Sequence, residues 1–321
     1  MNIVAVTGRE DIAMLYIVEF GKDKLVECVE AVQPPTPREE KWVLLVSTLF
    51  GCPVRCLMCD AGGHYKGKLT SEEILAQIDY LVSTRYPDGV VPSKQFKIQF
   101  ARMGEPTLNN DVLHVLKALP QRYQAPGLMS SLSTIAPRKT DFFFDQLVNI
   151  KDKYYSGGRF QFQFSLHTTD EKLRRQLVPI PTWSFAEMAD YGKRFYQVGD
   201  RKITLNFALA EGTPVDPKIL LRHFDPAKFL IKITPLNPTH QAQKHGLASH
   251  IDPMLSINKS QVVTSLQEAG YQVIVSIGER EENLIGSNCG QYVLRHLEAQ
   301  TSLERGYTYP IRQLAQRGIP N

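Results

Sequence analysis

The chain is poor in cysteine and tryptophan for its length: its 321 residues include five Cys and two Trp. Five thiols in so long a chain are too few for the disulfide framework that staples small secreted domains. No apolar run approaches a membrane span; Val43–Val46 is typical of the short stretches present. Met1-Asn2-Ile3-Val4 has neither the basic nor the long apolar region of a secretory signal. Unpaired thiols without an export signal predict a cytoplasmic protein with no membrane partner. Neither sign of charge dominates, and the formal charge of +4 permits a nucleic-acid partner without requiring one. With 43% hydrophobic residues, the chain has material for a full core in one large domain or two ordinary ones.

Residues 1–40 read as a small β meander. Ala13–Phe20 and Lys24–Val32 are β-rich runs joined at Gly21-Lys22-Asp23, and Pro34-Pro35-Thr36-Pro37 then breaks regular structure. Beyond it, strands and helices alternate. The strands are expected at Trp42–Ser47, Phe96–Ala101, Leu128–Ser133, Phe160–Leu166, Ile203–Leu209, Phe229–Thr234 and Gln272–Ser276. Helices are expected at Ile74–Thr84, Asp111–Leu119, Phe142–Asn149, Glu171–Leu177, Met188–Gln197 and Asn258–Ala269, with Ser184 and Glu187 as a capping box. Repeated β-then-α order predicts parallel strands with right-handed crossovers. The fold class is therefore α/β, a partial (β/α)6-type TIM barrel over residues 41–295. The meander (1–40) and a tail (296–321) flank it.

Three of the five cysteines fall within eight residues, in Gly51-Cys52-Pro53-Val54-Arg55-Cys56-Leu57-Met58-Cys59-Asp60. The spacing is C-x₃-C-x₂-C. A tight loop with three thiolates can hold three irons of a cubane cluster and leave the fourth iron open, as catalytic metal sites do. The competing reading is a Cys₃His zinc loop completed by His64, five residues past Cys59.

Other polar motifs fall at the predicted strand ends, where β/α barrels collect their chemistry. The second strand leads to Met103-Gly104-Glu105-Pro106, and the third ends at Ser133-Thr134. The fourth ends at Ser165-Leu166-His167, and the sixth leads to Pro235-Leu236-Asn237-Pro238. Gly104 permits close backbone approach, and Glu105 can accept hydrogen bonds from an ammonium. Ser133, Ser165 and Asn237 can bind hydroxyls or a carboxylate. Taken singly, a Gly-Glu-Pro turn and a lone histidine are more often structural. Arg55, Lys66, Lys68, Arg102, Arg138 and Lys139 offer cations for phosphate contact, or simply a solvated face.

The cysteine spacing resembles the signature of the radical S-adenosylmethionine (SAM) enzymes. More narrowly, the chain resembles the RlmN and Cfr RNA adenosine methyltransferases from about Glu27 to Gln291. Beyond the motifs above, the likeness includes Val46-Ser47-Thr48, Thr107-Leu108-Asn109, Pro179-Ile180 and Asn288-Cys289-Gly290-Gln291. The resemblance implies that Cys52, Cys56 and Cys59 hold a 4Fe-4S cluster. It implies that Gly104, Glu105, Ser133, Ser165, His167 and Asn237 bind SAM. Cys289 would match the methyl-carrying cysteine, and Glu27 a glutamate that takes a proton from the adduct. An electron donor of the reductase or flavodoxin type is implied as a partner.

Three departures stand out. Leu45 occupies the position, seven residues before Cys52, where that family has a second cysteine that releases the product. Cys28 is the candidate replacement, but neighbours on a strand face opposite sides, so Glu27 and Cys28 cannot both reach one site without a bulge. Only 51 residues precede Cys52, which leaves little room for the family's N-terminal RNA-binding domain. Met58 replaces a frequent aromatic before the last cysteine and remains an adequate apolar contact. The expected function is a radical SAM enzyme acting on a small-molecule or peptide substrate. An RNA adenosine methyltransferase using Cys289, and a non-catalytic cluster protein, are the alternatives.

Overall fold

The computed structural model describes residues 1–250, 261–277, 280–287 and 308–314. The chain opens with three antiparallel strands, β1 (Asn2–Arg9), β2 (Ala13–Glu19) and β3 (Leu25–Ala31). β3 pairs antiparallel with β4 (Lys41–Val46), so the meander continues the main sheet. The hairpin β5 (Leu49–Cys52) and β6 (Gly63–Lys68) forms a separate two-stranded sheet. Parallel strands then follow: β7 (Gln95–Phe100), β8 (Leu128–Thr134), β9 (Phe160–Ser165), β10 (Ile203–Leu209), β11 (Phe229–Pro235) and β12 (Val273–Val275). With β4 they make seven parallel strands. A last short strand, β13 (Arg312–Gln313), returns to pair with β1. Among the described residues β12 and β13 are the two edges, so the barrel is open.

Helices fill the crossovers: α1 (Ser71–Arg85), α2 (Asp111–Arg122), α3 (Asp141–Tyr154), α4 (Glu171–Leu177), α5 (Phe185–Phe195), α6 (Pro217–His223), α7 (His240–Lys244) and α8 (Gln261–Glu268). α9 (Arg280–Ile285) packs against β1 and β2. The capping box of α5 forms as expected at Ser184 and Glu187. At α1 the cap is Thr70, whose side chain accepts from Glu73 N–H while Glu73 reaches back to Thr70 N–H. α2 continues past Leu119, where the sequence reading stops it at Pro120. Proline removes the donor that Leu116 C=O would use, and the Tyr155 hydroxyl supplies one instead at 2.6 Å.

The strands explain why the inside is special. Along β7, Phe96, Ile98 and Phe100 are buried, whereas Gln95, Lys97 and Gln99 between them are partly exposed. β4 and β9 alternate in the same way, with Trp42, Leu44, Val46, Phe160, Phe162 and Phe164 buried. The buried face packs on the helices: Trp42 stacks on Phe96 at 5.1 Å, and Phe144 of α3 meets Tyr191 of α5 at 4.9 Å. The other face looks inward, where side chains fill an ordinary TIM barrel. Here that face carries polar, partly exposed residues on β7 and β9.

Candidate functional site

The cysteine loop begins where β5 ends. Gly51 has φ +73°, and a Cβ there would lie 2.5 Å from Gly63 O, so only glycine lets the hairpin close. Each end of the loop is tied to an element at the C-terminal rim of the sheet. Thr48 N–H donates to Met103 O after β7 at 2.8 Å, and Leu57 N–H donates to Leu177 O at the end of α4. The Asp60 carboxylate accepts from His240 N–H and Gln241 N–H at the start of α7, and Thr239 Oγ1 donates to Met58 O. The loop therefore lies over the ends of the parallel strands, the rim where this fold class places its chemistry.

None of the three thiols of the loop is in a disulfide, and all belong to one apolar cluster with Val54, Met58, Ile135, Leu177, Val178 and Leu236. Met58 is 8% exposed, packing as an apolar contact. Burial pushes the Cys52 thiol up to about 11. The backbone N–H groups of Val54, Glu105 and Arg55 bond to its sulfur and favour the thiolate. Cys56 is likewise raised by burial, against which the Arg174 guanidinium acts. Arg174 is itself buried, held by Thr182 Oγ1 and Ile135 O, and lowered to about 10 by burial. Metal coordination is what turns such protonated thiols into thiolates. His64 is exposed on β6. No three Cys, His, Asp or Glu among the described residues close on one point as a single ion requires. A cubane takes one sulfur per iron and spreads its ligands more widely. Three thiols outside any disulfide, backbone donors on a sulfur and a nearby guanidinium fit such a cluster.

The strand-end residues gather along the same rim. Gly104 has φ +98°, and a Cβ there would meet the Leu49 side chain at 2.5 Å, so this glycine seats the Met103–Glu105 turn against the hairpin. Glu105 is buried, and its carboxylate accepts from Thr107 N–H and Oγ1, Thr134 Oγ1 (2.6 Å) and Ile135 N–H (3.0 Å). Burial raises its pKa while those four bonds lower it. The carboxylate joins the ends of β7 and β8, and its acceptors are largely engaged before any ligand arrives. Among the described residues the Ser133 and Ser165 hydroxyls and the Asn237 amide make no hydrogen bond to the protein. His167 sits in the left-handed region at φ +67°, its Nδ1 accepting from Ala208 N–H at 3.3 Å. Burial, with Arg174 nearby, pushes its pKa down to about 4, so it is a neutral imidazole at physiological pH.

Glu27 and Cys28 part company as the period of a strand requires. Pairing of β3 with β2 runs without a register shift from Leu25 to Ala31, so no bulge brings the two side chains together. Glu27 is fully buried against Arg102, whose Nε donates to it at 3.0 Å. The same guanidinium holds Ser287 O and Gly286 O at 2.8 Å each. Arg102 is thus a structural clamp on the segment that precedes Asn288-Cys289 in sequence, which corrects its reading as a phosphate-contacting cation. Cys28 is fully buried, and burial raises its thiol. The next residue but one on its face, Glu30, bonds Arg85 of α1 and Trp42, which puts Cys28 on the helix side. Leu45 opposes Val29 and lies on the inner face. Cys289 lies outside the described residues.

Lys97, Gln161 and Arg174 are the residues that motif reading misses. For the first two a signal exists: Gln95-Phe96-Lys97-Ile98-Gln99-Phe100 and Phe160-Gln161-Phe162-Gln163-Phe164 alternate strictly, where buried parallel strands read as continuous apolar runs. Alternation in such strands announces a wet barrel interior.

No family model matches the chain. It is 26% identical over 290 residues to the probable dual-specificity RNA methyltransferase RlmN of Chlorobaculum tepidum, covering 87% of this chain and 71% of that protein. It is 25% identical over 304 residues to the protein of the same name from a strain of Thermus thermophilus, covering 92% of this chain and 78% of that one. The crystal structure of a radical SAM methyltransferase from Sphaerobacter thermophilus has the same fold, with TM-score 0.64 and 19% identity, covering 86% of this chain and 76% of that one. With a cysteine loop of matching spacing on the rim of an open parallel barrel, the chain is similar in sequence to proteins named RlmN and in fold to a radical SAM methyltransferase, and its residues fit the 4Fe-4S cluster and SAM which that resemblance implies.

Proposed function

We propose that this enzyme acts on a small-molecule or peptide substrate held inside the open barrel. Cys52, Cys56 and Cys59 would hold the cluster, and Gly104, Glu105, Ser133, Ser165, His167 and Asn237 would bind SAM. A reduced cluster bound there would supply the electron for cleavage of SAM to methionine and a 5′-deoxyadenosyl radical. The protein's own groups bind and orient. Neutral His167 contributes no charge, the Ser133 and Ser165 hydroxyls offer donors and acceptors to a ribose, and Glu105 keeps the β7 and β8 ends in register.

The observation that carries this reading is the pair Leu45 and Cys28. Release of a product linked through a methyl-carrying cysteine needs a second thiol beside it. The inner-face position is Leu45, and the neighbouring thiol, Cys28, is buried on the opposite side of the sheet. Glu27, paired with Arg102, is likewise not poised as a free base. The likeness to proteins named as RNA methyltransferases favours the other reading, an RNA adenosine methyltransferase with Cys289 as methyl carrier.

Anaerobically reconstituted protein with SAM and dithionite separates the two. A low-molecular-weight extract is expected to raise 5′-deoxyadenosine release, and total RNA is expected not to. Release that depends on RNA alone, with methyl transferred to adenosine, overturns the proposal. A flavodoxin-type or reductase donor is expected to replace dithionite.

A further inference from the structure

Three lysines stand on inward-facing positions of the barrel: Lys41 at the start of β4, Lys97 in β7 and Lys232 in β11. Three without an ion pair among the described residues are a concentration of positive charge in a confined space. Among the described residues, Lys97 Nζ donates to Gln161 Oε1 at 2.9 Å, Lys41 Nζ donates to Gln33, and Lys232 has no hydrogen-bond partner. Beside Lys232 in the sheet register is Asn206, 8% exposed, whose side-chain oxygen is buried without a partner. Glu282 of α9 is the described carboxylate whose charge reaches Lys41 and Lys232, one anion against three lysines and Arg201.

We propose that the inner face around Lys97 and Lys232, with Lys41 below them, anchors the substrate by an oxyanion, so that the substrate is a small molecule bearing a phosphate or carboxylate group. The inference rests on the small-molecule reading above. An oxyanion supplies the acceptors these amines lack, and a hydroxyl or amine on the same molecule supplies the donor that Asn206 lacks. Burial, then the charges of Lys232, Lys41 and Arg201, pushes Lys97 down to about 7, a repulsion that a bound anion relieves.

The depth of the site sets the ligand's size. Lys97 lies three residues below Phe100, the last residue of β7, and Lys232 three below Pro235 at the end of β11. At roughly 3.3 Å per residue, the anion sits about 10 Å beneath the rim that carries the cysteine loop. A molecule of about that length, anchored at its acidic end, presents its other end to the rim.

The test is titration calorimetry of the reconstituted protein with inorganic phosphate, pyrophosphate and citrate at fixed ionic strength. At least one of them is expected to bind at a single saturable site. Lys97→Met and Lys232→Met are each expected to weaken it at least tenfold, and Lys117→Met on the exposed side of α2 to leave it unchanged. Phosphates against citrate tell which oxyanion is preferred. Should a methionine variant fail to fold, acetylation of the wild-type protein, read by mass spectrometry, replaces it. Pyrophosphate or citrate is then expected to protect Lys97 and Lys232 but not Lys117. Absence of binding by all three anions, equal weakening by Lys117→Met, or unchanged acetylation overturns the proposal. RNA-dependent deoxyadenosine release would remove the small-molecule reading itself. Metabolite-dependent release without anion binding overturns only the anchor.

Discussion

Arg102 and Glu27 show how much one buried contact can decide. The guanidinium satisfies a carboxylate and two backbone carbonyls from distant parts of the chain, with both side chains nearly sealed from water. Removing one partner leaves the other charge buried and uncompensated, which destabilises by about 3–5 kcal/mol. Arg102→Met is therefore expected to lower the urea midpoint by that equivalent, and Glu27→Gln/Arg102→Met to recover part of it, as equilibrium unfolding would show. A loss under about 1 kcal/mol would mean that water reaches the pair. His167 gives a second residue-level test. Its folded pKa of about 4 lies below the unfolded value near 6.5, so the folded state holds fewer protons between them. Its contribution is complete above pH 6.5 and is lost as pH falls toward 4. Between pH 7.5 and 5 the wild type is expected to lose about 2 kcal/mol more stability than His167→Gln. Parallel loss in both proteins would remove the assignment.

At the scale of elements, the two-residue period of β3 and β4 separates Cys28 from the inner face, and chemical labelling reads this directly. In native protein Cys28 is expected to resist iodoacetamide until denaturant is added, whereas a thiol introduced by Leu45→Cys is expected to react, both followed by mass spectrometry. Native labelling of Cys28 would place it on the inner face instead. A similar logic applies to α7, whose first turn is held by Asp60 of the cysteine loop. Asp60→Ala removes two charge-assisted bonds and is expected to cost about 1–3 kcal/mol locally, seen as lower iron retention after desalting. The long periodic elements were legible in the sequence: each of the seven parallel strands falls within about one residue of its expected place. The β5–β6 hairpin was not, because Gly63-His64-Tyr65-Lys66-Gly67-Lys68 is polar, carries two glycines and has no apolar alternation. Nor was the partner of Glu27, since nothing local links a glutamate to an arginine 75 positions away. The three cysteines proposed as cluster ligands stand out in the sequence because they fall within eight residues. The inward lysines were legible only as alternation, whose meaning depends on knowing that the strands are parallel.

For the whole molecule, the division of the apolar interior into two clusters is what matters. The main core, from Ala5 to Ile285, packs the sheet against its helices and contains none of Cys52, Cys56 and Cys59. Those three share a smaller cluster with Met58, Ile135, Leu177 and Leu236 at the rim. Stability and chemistry are thus carried by different groups of residues. In a structural zinc domain the metal is the core, and a chelator unfolds the protein. Here the sheet buries Trp42, Phe96, Phe100, Phe162 and Phe164 in a core to which Cys52, Cys56 and Cys59 contribute nothing. Removing iron, or changing Cys56 to Ala, is therefore expected to abolish deoxyadenosine formation and leave the far-ultraviolet circular dichroism unchanged. Hydrogen exchange gives the finer reading, because local opening is governed by local contacts. Amides of residues 52–62 are expected to exchange faster in the apo protein, together with the first turn of α7 that Asp60 holds. Amides of β4, β7, β8, β9 and β10 are expected to keep their protection. Loss of protection throughout the sheet on chelation would show that the cluster is part of the fold itself, and the separation of core from site would fall with it.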